Sequence, residues 1–192
     1  MEGKNTGAII TAIFVIILSA IIGSCFMAFV YADKKVLVSD PKIFADSGII
    51  VADEKENLIE ELTLSTSKLG LKPVTSEEDS ETLIPFSVTD SVGSEGLYAS
   101  FWIKTASSFK MIVKDISIEA PGNAESEREH IKVGLLDIKD SVKDLAQSEV
   151  QIYQGGAETD FKKFTFFVWL HGHTGQELTG AKISFNLYFQ SV

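Results

Sequence analysis

Two segments near the carboxyl end most constrain what this chain can fold into. Residues 164–170 read FTFFVWL and residues 181–190 read AKISFNLYFQ. In the first, Phe164, Phe166, Val168 and Leu170 share one parity. In the second, Ile183, Phe185, Leu187 and Phe189 share one parity, and Lys182, Ser184, Asn186 and Gln190 take the other. A period of two is the signature of a β-strand, because successive side chains leave opposite sides of the backbone. Strands of this kind pack one face and leave the other wet.

The same reading extends upstream. GLYASFWIKT, from Gly96, is rich in aromatic and β-branched residues, and IKVGLLDI sets Ile131, Val133 and Leu135 against Lys132 and Gly134. KMIVKDISIE places Met111 and Val113 on one parity, then Ile116 and Ile118 on the other. That change at Lys114–Asp115 predicts a β-bulge, which inserts one residue and re-aims the strand. Strand candidates also fall at Val36–Val38 and in LTLSTSKLGL from Leu62. Helical turns are expected over Asp53–Glu61 and in DSVKDLAQ, the latter capped by Asp140 or Ser141. Residues 72–85, KPVTSEEDSETLIP, form an acidic loop between prolines. Many strands without alternating helices predict an antiparallel β-sandwich of the immunoglobulin or jelly-roll kind.

The amino-terminal region obeys different rules. From Gly7 to Tyr31 there is no charged residue. As a helix that stretch reaches roughly 37 Å, more than the ~30 Å hydrocarbon core of a bilayer. The sequence therefore divides into residues 1–32, a short cytoplasmic tip with a transmembrane or signal-anchor helix, and residues 33–192, an extracytoplasmic β domain. Three fates compete for the junction IGSCFMAFVYADKK. An uncleaved anchor accounts for the full apolar length. Val30 and Ala32 give the small-residue pattern for cleavage between Ala32 and Asp33, although a signal peptide core spans only about 7–15 residues. Ile22-Gly23-Ser24-Cys25 loosely fits a lipid-attachment site at Cys25, but apolar residues follow it where a polar tether is normal. The expected partner in the anchored case is the lipid bilayer itself, with a single-pass location in the cell membrane.

Charge and cysteine content narrow the surroundings further. Lys and Arg number 17 against 27 Asp and Glu, a formal charge of −10. Binding to nucleic acid rests on many Lys and Arg contacts to phosphate, so that class is excluded. Cys25 is the single cysteine, and the domain beyond it has no internal disulfide. A thiol-free exported body suits a bacterial exterior better than a eukaryotic secretory route.

Catalytic motifs are missing from the sequence. There is no Gly-X-Ser-X-Gly elbow, phosphate-binding loop, dinucleotide fingerprint or His-Glu-X-X-His helix. In WLHGHTGQEL, His171 and His173 are spaced as two ligands on one strand face, with Glu177 or His130 as a third. Gly172, Gly175 and Gly180 instead mark a loop between the last two strands, so neither a metal nor any other cofactor is expected. Tyr98, Trp102 and Trp169 offer rings for a glycan or another small ligand, against the simpler reading that aromatic strands pack.

The closing segment FTFFVWLHGHTGQELTGAKISFNLYFQ resembles the end of the TasA/camelysin family of Gram-positive surface proteins. There an aromatic-apolar W-L-x-G strand leads through a Gly-containing turn into a final alternating strand, and GSEGLYASFWIK is compatible with it. The resemblance implies a β-sandwich, an exported or membrane-associated location and a fibre- or matrix-forming role, with this chain or other surface proteins as partners. Some members carry a metallopeptidase label, but this chain has no matching ligand set. FMAFVYAD also departs from the family's processing stretch. The expectation is a non-enzymatic, membrane-anchored surface protein with a structural, adhesive or matrix-assembly role. An extracytoplasmic ligand- or glycan-binding domain is the alternative, and a metal-dependent hydrolase comes third.

Overall fold

A computed structural model describes residues 36–64, 96–119, 124–136, 138–171, 178 and 180–192, all within the unit Lys35–Val192. The proposed anchor, Cys25, Ala32, Asp33 and the acidic loop lie outside the described residues. Among the described residues no helix is long and apolar enough to cross a membrane.

The described residues are mainly β, arranged as two five-stranded sheets. Its strands are β1 (Leu37–Val38), β2 (Ile43–Ala45), β3 (Ile49–Ala52), β4 (Leu97–Thr105), β5 (Phe109–Glu119), β6 (Ile131–Leu135), β7 (Ile138–Asp144), β8 (Glu149–Gly155), β9 (Glu158–Leu170) and β10 (Lys182–Ser191). In the first sheet β10 and β5 are central, β8 lies beyond β5, and β1 and β2 share the far side of β10. The second sheet runs β3-β4-β9-β6-β7. Pairing is antiparallel except that β1 and β2 both run parallel to β10. The expected all-antiparallel arrangement is corrected there. Two short pieces separated by Pro41 act as one interrupted edge strand.

The periodicities that predicted strands also set what is buried. Phe164, Phe166, Val168 and Leu170 of β9 join Ile183, Phe185, Leu187 and Phe189 of β10 in one core, which includes residues of both sheets. Aromatic rings span it. Phe101 stacks on Phe164 with centroids 6.0 Å apart and meets Phe189 edge-on at 5.7 Å. Rings at these separations add to the apolar burial that drives folding. The arrangement is consistent with a β-sandwich.

The predicted bulge is present. Ser184 pairs with Ser117 and Asn186 with Lys114, so Phe185 alone opposes Asp115 and Ile116. Asp115 takes φ of 55°, a left-handed conformation that Asp tolerates better than most residues. Its Oδ2 accepts hydrogen bonds from Tyr188 Oη at 2.7 Å and Asn186 Nδ2 at 2.9 Å, both from β10. Tyr188 also stacks on Phe44 of β2 at 4.8 Å, which ties the short edge strand to the bulge across the outer face.

Two expected helical pieces are absent. Residues 138–144 form β7, paired with β6, in place of a helix. Ser141 still satisfies a backbone N–H as a cap would, but in a hairpin: its buried Oγ accepts from Leu135 N at 2.7 Å and donates to Ile138 O at 2.5 Å. Over Asp53–Glu61 the chain makes a turn in which Asp53 Oδ1 accepts from Lys55 N and Asn57 N. The chain then returns along both adjacent edges. Ile59 N donates to Val51 O, Ile43 N to Glu60 O and Leu62 N to Pro41 O. Leu62 and Leu64 are buried as one parity predicted, yet lie outside any strand. One side of the molecule is thus closed by the chain itself, while β7 and β8 form the two edges of the opposite side.

Candidate interaction surface

The outer face of the second sheet carries a graded row of side chains along β4 and β9. Register places Tyr98 opposite Phe167, Ser100 opposite Thr165 and Trp102 opposite Lys163. All six sit on the parity that points away from the shared core. At one end the row is covered. Phe167 and Trp169 are buried in a second, smaller cluster with Tyr98, Leu136 and Val142. Gly134 makes room there, because a Cβ at that position would stand 3.4 Å from Trp169 Cη2 and 3.2 Å from Val142 Cγ2. The indole Nε1 of Trp169 is buried without a hydrogen-bond partner.

At the other end the row opens to solvent. Trp102 is half-buried, and Lys163 and Lys104 are exposed. Lys163 Nζ lies 5.5 Å from the Trp102 ring centroid, and Lys104 Nζ lies 5.6 Å from that of Phe161. Both are cation–π distances. Between the ends, Ser100 Oγ and Thr165 Oγ1 share a hydrogen bond of 2.9 Å. Beside Lys163 and Thr165 lies a cavity of about 320 Å³, lined also by Leu136, Ile138, Lys162 and Phe164. The charge of Lys162 is engaged by Glu158, whose hydrogen bond raises the lysine pKa. Lys163 and Lys104 have no carboxylate within 4 Å among the described residues. The face can therefore present an aromatic platform, hydroxyls and two cations together. Read alike as packing residues, Trp169 is fully buried, whereas Trp102 is half-buried and keeps part of its ring open.

The histidines tell a different story. His171 extends the β6–β9 ladder by one step, its N–H donating to His130 O at 2.7 Å. It is buried, and its ring lies 5.7 Å from that of His130. His130 Nε2 is 3.7 Å from Glu127 and 3.8 Å from Glu129, at the end of a 3₁₀ helix, Ala124–His130. The fold thus brings together His171 and His130, the alternative third ligand, through strand register and not through the two-residue spacing. His173 and Glu177 lie outside the described residues. Among the described residues no group of three His, Cys, Asp or Glu side chains could hold a metal ion.

Comparison with known proteins adds no identity: no family model matches the chain, and no curated protein matches it.

Proposed function

We propose that this chain is a membrane-anchored bacterial cell-surface protein whose β domain has a structural or adhesive role. The domain is read as an extracytoplasmic β-sandwich of the immunoglobulin or jelly-roll kind, and it works by contact, not by turnover. The uncharged run from Gly7 to Tyr31 and the thiol-free body support the location. The observation that carries the role is the half-open outer face of the second sheet, where Trp102, Lys163 and Lys104 stand clear of the core.

Sheet edges are the other surface available to such a protein, since an open edge accepts a further strand. Here they are guarded. Residues 57–62 bond along β2 and β3. Asp140, Lys143 and Glu149 are exposed along β7 and β8, and charge on an edge strand opposes strand addition. The face is therefore the better contact.

Cells producing the full chain are compared with cells whose copy ends before Val36. The proposal expects the truncation to weaken cell-to-cell or cell-to-matrix cohesion while leaving metabolic activities unchanged. Unaltered cohesion, with the full chain present in normal amounts, would count against it.

A further inference from the structure

We infer that the open end of the second sheet's outer face binds an acidic polysaccharide, with Trp102 as the stacking platform and Lys163 and Lys104 as the charge partners. The inference rests on the contact role proposed above and names what is contacted. Sugar rings present an apolar C–H face and a rim of hydroxyls, so they are held by an aromatic side chain with polar groups beside it. This row supplies both: Trp102 is half-buried, and the Ser100–Thr165 hydroxyl pair is its next neighbour along the strands. The cavity of about 320 Å³ that shares Lys163 and Thr165 lies at the small end of the range for ligand clefts, enough for one saccharide unit and not a large cofactor.

Charge selects an acidic polymer over a neutral one. The chain as a whole carries −10. Against that background, the two central strands place Lys104 and Lys163 on one face with no carboxylate within 4 Å among the described residues. A carboxylate or phosphate on the polymer would meet these cations, while the acidic remainder of the surface repels it. These two lysines are far fewer than a nucleic acid or an anionic membrane surface requires.

The test is affinity electrophoresis of the detergent-solubilised full chain through gels containing polygalacturonate or neutral dextran. The expected result is retardation by polygalacturonate and none by dextran. Trp102→Ala and Lys163→Gln should each weaken it about tenfold or more. Lys182→Gln, which removes an exposed lysine from the outer face of the first sheet, should leave it unchanged. Trp102→Phe should recover part of the affinity if stacking matters. Absence of retardation at millimolar uronate, equal binding to dextran, or equal weakening by Lys182→Gln would each overturn the inference. The outcome is independent of where the chain resides: a chain exposed on intact cells that ignores polygalacturonate sinks this inference alone. A chain that binds but is found only inside the cell sinks the surface role instead.

Discussion

Asp115 shows how a single residue carries a local conformation and a distant strand together. Its left-handed backbone sits at the bulge of β5, and its carboxylate receives both Tyr188 and Asn186 from β10. Those hydrogen bonds favour the ionised form, first that from Asn186 and then that from Tyr188, and lower the pKa of Asp115 below its ordinary value. A carboxyl whose pKa is depressed on folding contributes stability above its unfolded pKa, ~3.9, and loses it as pH falls through the folded value. Asp115→Asn keeps a side chain that tolerates positive φ but removes the charge. The variant should melt lower than the wild type at pH 7, with the gap closing as the pH is lowered below about 3.9. Thermal melts at pH 7 and pH 3 check this, and a gap of constant size would contradict it. Gly134 is a second decisive residue. Gly134→Val crowds Val142, only 3.2 Å from a Cβ at that position, with the fully buried Trp169 just beyond, and the overpacking should cost about 1–3 kcal/mol in chemical denaturation.

At the scale of elements, one hydroxyl closes the β6–β7 hairpin. Ser141→Ala leaves the Leu135 N–H without its acceptor in a buried hairpin, at a cost of about 1–3 kcal/mol. That hairpin is also where the sequence misled. Ile138, Val142 and Leu145 recur at helical spacing with charges between them, because β7 is an edge strand that packs few apolar residues. Pairing with β6 overrides the local pattern. By contrast β10 and the 164–170 part of β9 were legible, since each lies centrally in its sheet and buries the parity of its apolar residues. Residues 158–163 of β9, polar and largely exposed, were not read as strand. The bulge in β5 was legible for the same reason: a shift in parity has few other physical causes. The interaction face was only partly legible. Trp102 and Trp169 have similar neighbours in sequence, and what separates them is cover by Leu136 and Val142 from the β6–β7 hairpin. The contact between His130 and His171 needed the register of β6 against β9, which no single-strand pattern contains.

For the molecule as a whole, two sheets meet over one apolar core, and the aromatic bridge of Phe101, Phe164 and Phe189 lies within it. Phe101→Ala should lower stability by about 3–5 kcal/mol, since a fully buried ring leaves a cavity that flanking strands fill poorly. A denaturant midpoint close to that of the wild type would contradict that core. The proposed surface role adds a claim about place, and surface shaving tests it most directly: intact cells making the full chain are treated briefly with protease, and the released peptides are identified by mass spectrometry. The account predicts peptides from residues 36–192 in the supernatant before lysis and none from residues 1–6. Peptides from the β domain that emerge only after the cells are broken would contradict it.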